Sequence, residues 1–186
     1  MSASPKTRVY MACSLDGFVA GPDHDLSFLS RPGPADAPPA DPEALGFVEF
    51  MGQVGAMLMG RKTYDVVAAM GVEWPYGDTP VIVATNRPLE GSPATVSGVS
   101  GDIGELVAKA KVLAGDKDLY LDGGALVRAA LDADLVDELC LTVLPILLGG
   151  EGVSLFAGLN DTRELEFVSH RTHEQGMVQL TARRRA

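Results

Sequence analysis

The segment Leu119-Tyr120-Leu121-Asp122-Gly123-Gly124-Ala125-Leu126 constrains the chain most. Leu119 to Leu121 reads as a short buried strand that Asp122 ends. Gly123 and Gly124 permit a tight turn without Cβ obstruction, and Ala125 to Leu131 is rich in helix formers. A strand, a Gly-Gly turn and a helix start aim free backbone N–H groups at one point. Such a point attracts phosphate through hydrogen bonds and the helix dipole. The plainer alternative is a close strand–helix connection and nothing more. A two-glycine turn is a weaker signal than a full dinucleotide fingerprint.

The same pattern occurs earlier. Ala56 to Met59 is an apolar strand, and Gly60-Arg61-Lys62-Thr63 opens a helix through Tyr64, Val67 and Met70. Cations at a helix N-terminus oppose the dipole, so a bound anion there would relieve the conflict. The alternative is that both cations point to water. A third strand, Thr79 to Thr85, ends in the polar and basic Asn86-Arg87. The loop Trp74-Pro75-Tyr76 is either packed or a stacking surface.

The remaining chain supports an alternating pattern. Arg8 to Cys13 suits a central strand, followed by the turn Ser14-Leu15-Asp16-Gly17 and a continuation through Phe18 to Gly21. Asp16 is a turn aspartate or a ligand contact. His24 sits in a turn expected to be solvated, and Leu26 to Leu29 reads as a short helical piece. The Pro/Ala-rich stretch from Arg31 to Pro42 is expected to be a surface loop able to cover a pocket. Asp41-Pro42-Glu43 has the features of a helix start, with the helix running to about Gln53 and Leu45, Val48 and Met51 inward. Val96 and Val99 mark a short edge strand. Asp102 and Glu105 have capping-box spacing for a helix that turns Leu106, Ala110 and Leu113 inward and stops at Gly115. Leu139, Leu141 and Val143 alternate in a longer strand. Leu165 to His173 and Met177 to Arg184 read as a terminal antiparallel hairpin.

The chain has 186 residues, close to the ~150 typical of one domain, so residues 1–186 are expected to form a single domain. Its net charge of −10 does not favour nucleic acid or anionic membranes. No stretch approaches the ~20 apolar residues of a membrane span, and Met1 to Arg8 lacks the apolar core of a secretory signal. Arg183-Arg184-Arg185 is expected to be a solvated tail. Cys13 and Cys140 lie among apolar residues, which fits buried free thiols in a reducing cytoplasm. Neither a nucleophile elbow nor paired histidine ligands occur.

Strands alternating with helices imply a mostly parallel sheet covered on both faces, with ligands beyond the strands' carboxyl ends where strand order reverses. Four strand ends carry distinctive residues: Ser14 to Gly21, Gly60 to Thr63, Thr85 to Arg87, and Asp122 to Leu126. Two helix starts, two arginines and two aspartates suit an elongated ligand with several phosphates and a flat ring.

In order and spacing these motifs, with Leu135-Val136-Asp137-Glu138-Leu139, Pro145 to Gly152 and Leu155-Phe156, resemble the dihydrofolate reductase-like superfamily. They are most similar to the reductase domain of riboflavin-biosynthesis deaminase-reductases. The resemblance covers nearly the whole chain. It implies a three-layer α/β/α sandwich around a mixed, mostly parallel sheet that binds NADPH.

Carried over by position, Gly60, Arg61, Lys62 and Thr63 would meet the pyrophosphate and the adenosine phosphate. Thr85, Asn86 and Arg87 would flank the adenosine, with Arg87 near the 2′-phosphate. Gly123, Gly124, Ala125 and Leu126 would offer backbone N–H groups to the pyrophosphate. Ala12, Ala20 and Gly21 would lie by the nicotinamide. The implied reaction is hydride transfer to a small heterocycle or carbonyl compound. The alternatives are 5-amino-6-(5-phosphoribosylamino)uracil reduction in riboflavin biosynthesis and nucleotide binding without turnover. Dihydrofolate reductases hold the pterin with an acid after the first loop. No acid in Asp23-His24-Asp25-Leu26-Ser27-Phe28 aligns with it, which argues against folate. Asp122 or Asp16 is instead expected to orient substrate or relay its proton, with helix capping as the alternative for Asp122. Relatives of this kind often form homodimers.

Overall fold

The computed structural model describes residues 5–30 and 39–185. Most of the stretch expected to be a covering loop, residues 31–38, lies outside the described residues.

The main sheet has eight strands in the order β5-β4-β3-β6-β1-β7-β10-β9. They are β1 (Thr7–Ser14), β3 (Val54–Gly60), β4 (Val81–Ala84), β5 (Val96–Val99), β6 (Asp118–Asp122), β7 (Glu138–Leu144), β9 (Leu165–Thr172) and β10 (Val178–Arg184). The first six in that spatial order run parallel. β10 pairs antiparallel with β7, and β9 with β10, as the hairpin pattern predicts. The short strands β2 (Phe18–Ala20) and β8 (Val153–Ser154) form a separate antiparallel pair.

Alternation along the central strands divides the core in two. Ala56, Leu58, Ile82, Leu119 and Leu121 face one side. There they pack on Leu106, Val107 and Ala110 of α3 (Ile103–Ala114) and Val127, Ala130 and Leu131 of α4 (Gly124–Asp132). Met57, Met59, Val81, Val83 and Tyr120 face the other side. They pack on Phe50 of α1 (Phe47–Gln53) and Tyr64 of α2 (Arg61–Ala68). Helices therefore cover both faces, giving the three-layer α/β/α arrangement. The predicted cap of α3 is present: the Asp102 side chain accepts from Glu105 N at 2.9 Å.

Several local expectations are corrected. The first helix begins at Phe47 rather than near Asp41. Asp41 N donates to Thr172 O at 2.8 Å, Glu43 N donates to the Asp41 carboxylate, and the Gln179 amide brackets Leu45 with bonds to its N–H and C=O. Those long-range bonds hold residues 41–45 as a turn, overriding a good local start signal. Phe50 is therefore the buried residue of α1, and Val48 is exposed. Met70 and Leu113 are also exposed: Met70 lies past the end of α2, and α3 turns Leu106, Val107, Ala110 and Ala114 inward instead of Leu113. The short helical piece is a 3-10 turn at Ser27–Ser30. Arg183 and Arg184 are not a free tail. Both belong to β10, where Arg183 pairs with Glu138 at 3.2 Å and Arg184 donates to Asp134 O.

Arg8 stands near the start of the apolar strand β1, yet it is a buried cation with 7% exposure. Its guanidinium meets Glu138 at 2.7 Å, Asp118 at 3.2 Å and Gln53 at 2.6 Å, and lies 5.0 Å from the centre of the Phe50 ring. This network ties together the amino ends of β1, β6 and β7 and the end of α1.

Candidate functional site

The opposite, carboxyl end of the sheet opens into a cavity of about 490 Å³ between β1, β3 and β6. The order of strands reverses here: the chain moves outward from β3 to β4 and β5, then returns to place β6 between β3 and β1. A crevice at such a point is where open α/β sheets bind ligands.

Two helix starts line the cavity side by side. Gly60 and Gly123 are the N-caps of α2 and α4, and neither supplies a capping side chain. The leading N–H groups of both helices therefore lack the usual internal acceptor. Gly123 has φ +102, and a Cβ built on it would lie 2.4 Å from Thr63 Oγ1 and 3.5 Å from Gly60 N. Glycine is thus required by both conformation and contact, and its absent side chain is what lets the two turns meet. Gly60 to Thr63 and Gly123 to Leu126 all line the cavity. This cradle has the donor set that a pyrophosphate needs: converging N–H groups beside two cations.

The cations differ in setting. Arg61 pairs with Asp65 at 2.7 Å and donates to the carbonyls of Arg87 at 3.4 Å and Pro88 at 3.1 Å. It thereby ties the end of β4 to the start of α2. Lys62 is exposed and makes no ion pair among the described residues. Thr85 Oγ1 accepts from Arg87 N at 3.0 Å, shaping the turn, while Asn86 and Arg87 are exposed. These three residues flank the cradle through Arg61 and do not line the cavity itself.

Ala12 and Ala20 line the cavity from β1 and β2. Gly21, the next residue, is buried, and its N–H donates to Asp25 O at 2.8 Å. His24, expected in a solvated turn, instead contributes to the cavity wall, because the turn at residues 22–24 folds back over it.

Asp122 and Asp16 have opposite surroundings. Asp122 stands on the cavity floor. Burial pushes its carboxyl up to about 6, against the pull of hydrogen bonds from the Gly123 backbone and Tyr76. Asp16 lies outside this cavity. Its carboxylate accepts from Ser14 Oγ at 2.5 Å, Gly149 N at 2.8 Å and Leu148 N at 3.2 Å. The Ser14 bond, followed by that from Gly149, holds it below the usual carboxylate range. Those bonds describe a brace between two loops, so the two aspartates do not form one acid pair.

Sequence reasoning missed the wall opposite the cradle. Tyr10, Met11, Leu26, Leu29, Phe47, Met70, Tyr76 and Tyr120 line it. Trp74-Pro75-Tyr76 was the available signal. Trp74 packs edge-on against Tyr76 at 5.1 Å, so the aromatic loop is packed, but Tyr76 also reaches the cavity. The other residues come from separate elements and carried no local mark.

Residues 5–179 match the RibD C-terminal domain. The chain belongs to the RibD C-terminal domain family. A similar chain is the uncharacterized protein YwjB of Bacillus subtilis (strain 168), 30% identical over 162 residues that span 86% of this chain and 87% of that protein. Among solved structures, "Putative riboflavin biosynthesis protein" from Shewanella sp. PV-4 is 32% identical, with a TM-score of 0.81, covering 97% of this chain and 99% of that one. The deaminase/5-amino-6-(5-phosphoribosylamino)uracil reductase of Thermotoga maritima shares the fold at 15% identity and a TM-score of 0.68. Its match covers 98% of this chain and 57% of that one. The dihydrofolate reductase-like fold of RibD reductase domains is therefore present here, and membership in this family implies an oxidoreductase.

Proposed function

We propose that this chain is an NADPH-dependent reductase that delivers a hydride to a small planar heterocycle or carbonyl compound. The observation that carries this reading is the approach of Gly123 to Thr63 and Gly60, which sets two uncapped helix starts side by side.

In this reading Gly60, Arg61, Lys62 and Thr63, with Gly123, Gly124, Ala125 and Leu126, hold the pyrophosphate. Thr85, Asn86 and Arg87 receive the adenosine end, Arg87 binding the 2′-phosphate through charge-assisted hydrogen bonds. Ala12 and Ala20, with Gly21 behind them, leave room for a flat ring beside β1. When bound, the reduced nicotinamide would supply the hydride. The chain's own part is alignment and exclusion of water. Tyr10, Phe47, Leu26 and Met70 provide an apolar wall for the second ring. Asp122 holds the substrate's polar edge and exchanges a proton with it. Asp16 is given no chemical part, since its oxygens are occupied by the 148–149 backbone.

Titration with NADPH followed by cofactor oxidation against a panel of pteridines, pyrimidines and quinones tests this proposal. Tight binding and oxidation with at least one ring class are expected. Binding without oxidation would favour a nucleotide-binding protein without turnover, and no binding at millimolar NADPH would remove the reading.

Family membership favours a second, narrower reading as a riboflavin-pathway reductase acting on a ribosylamino-pyrimidine phosphate. Including that substrate in the panel separates the two. A homodimer in the cytoplasm completes the proposal. Phe167, Leu165 and Val178 are exposed on the β9–β10 hairpin, where a second copy would cover them, and Cys13 and Cys140 are buried free thiols. Sedimentation at micromolar concentration tests the dimer.

A further inference from the structure

The antiparallel pair β2/β8 supplies one wall of the cavity through Ala20 and Val153. It lies outside the eight-stranded sheet, and a pair this short is not stable by itself. Its place must therefore come from contacts at its ends. On one side it rests on α4. Arg128 donates to Ser154 O, and a Cβ built on Gly124 would lie 3.1 Å from Val153 Cγ1. Within the pair the fit is close: a Cβ on Gly152 would lie 2.5 Å from Ala20 O and 2.6 Å from Phe18 Cδ1. A wall packed this tightly moves as a unit.

The other side is held through Asp16. One carboxylate oxygen accepts from Ser14 Oγ at 2.5 Å and Leu148 N at 3.2 Å, the other from Gly149 N at 2.8 Å. The same Ser14 hydroxyl oxygen accepts at 2.9 Å from the N–H of Phe18, the first residue of β2. Leu155 N, directly after β8, donates to Gly17 O at 2.8 Å, and Leu15 N donates to Ile146 O at 2.8 Å. Asp16 thus stands where the chain entering β2 meets the chain entering β8. A turn aspartate serving only its own turn would not take two N–H groups from residues more than about 130 positions away.

We infer that Asp16 is the positioning residue for the β2/β8 wall: by joining the turn after β1 to the 148–149 turn, it sets where Ala20 and Val153 stand in the cavity. Its part in ligand binding rests on the reading that a nicotinamide lies beside Ala20. The carboxylate stays outside the cavity and acts through the backbone it holds. The cradle is built separately, from the meeting of Gly123 with Thr63 and Gly60, so loss of Asp16 should be felt at the nicotinamide end alone. Asp16→Asn keeps the size of the side chain. It leaves one acceptor oxygen for three donors and sets an NH2 group against N–H groups.

The first test is amide hydrogen exchange, read by NMR on the whole chain without ligand. In Asp16→Asn the Leu148 and Gly149 amides should exchange faster. Those of Phe18 and Leu155 in the wall should follow by about tenfold, the weight of one lost hydrogen bond. Amides in the ladders of β1 with β6 and β7 should keep the parent rates. Faster exchange confined to Leu148 and Gly149 overturns the inference. Asp16 is exposed, so the variant should fold; Asp16→Ser, which also keeps one acceptor, replaces it if it does not. The second test is binding. NADPH should bind the variant about three- to tenfold more weakly, whereas 2′-phospho-ADP-ribose, which lacks only the nicotinamide, should bind variant and parent alike. An equal loss for both ligands, or no loss for NADPH, overturns the inference. If the parent binds neither ligand, the reductase reading fails and the exchange rates alone decide whether Asp16 places the wall.

Discussion

The two ends of the parallel sheet treat charge in opposite ways. At the amino end, buried Arg8 is matched by Glu138, Asp118 and Gln53, with Lys6 adding a 3.0 Å ion pair to Glu138. At the carboxyl end, two helix starts are left uncapped, Lys62 has no ion-pair partner among the described residues, and Asp122 sits with its charge disfavoured by burial. One end pairs its charges internally and joins four elements. The other leaves donors and an acid free to act on something that arrives. On the proposed reading, stability and binding are assigned to opposite edges of one sheet, so that an exposed cradle does not weaken the core.

Removing the amino-end cation should produce the largest effect. Arg8→Ala leaves Glu138 and Asp118 without their central partner and should cost about 3–5 kcal/mol in urea unfolding. Arg8→Met with Glu138→Leu and Asp118→Asn should recover most of it, because apolar replacement of a whole buried network is often neutral. A small loss in the single variant would erase the contrast.

At the cradle, Gly123→Ala forces a Cβ against Thr63 Oγ1 and keeps a left-handed φ. It should cost about 2–4 kcal/mol through strain and overpacking. NADPH affinity should fall at least about tenfold, one hydrogen bond's worth of misalignment. Thr63→Ala should relieve part of the clash. Equal NADPH affinity in Gly123→Ala and the parent would show that the two turns need not meet.

The two ends should also titrate with opposite sign. Asp122 is raised from 3.8 to about 6, so the folded chain holds its proton more tightly than the unfolded one. Its contribution is fully present below pH 3.8 and is lost as pH rises through about 6, a loss of about 1–3 kcal/mol that Asp122→Asn should abolish. Burial pushes Glu138 up, but the Lys6 hydrogen bond, the charges of Arg8 and Lys6, and the Arg183 bond together hold it below its ordinary 4.5. Its contribution is present above 4.5 and is lost as pH falls through the lower folded value. Unfolding free energies measured from pH 3 to 8 in the parent, Asp122→Asn and Glu138→Gln separate the two slopes. The smallest effect belongs to Arg87→Ala, which should lower NADPH affinity by about 1–1.5 kcal/mol and leave NADH affinity nearly unchanged.

The paired-turn cradle of the candidate site was readable because it lies in short contiguous turns. Gly60 to Thr63 and Asp122 to Leu126 each join a strand end to a helix start, and both were placed from local pattern. The opposite wall was not readable, since Tyr10, Phe47 and Tyr76 come from three elements with no shared spacing. The helix expected from Asp41 failed for a related reason. Its local cap signal was genuine, but the Gln179 amide and Thr172 carbonyl, more than a hundred residues away, took up the backbone groups of residues 41–45.

Alternation of apolar residues, glycines at strand ends and the Asp102 cap are properties of neighbouring residues. From them the chain alone determined its strands and helices, the layered α/β plan and the two phosphate-suited turns. Which charges would be buried and paired, which aspartate would face a cavity, and which tyrosine would reach it were decided only by the tertiary structure. Those outcomes depend on distances between segments far apart along the chain, and the solvation and charge of an ionisable group follow from whatever surrounds it after folding.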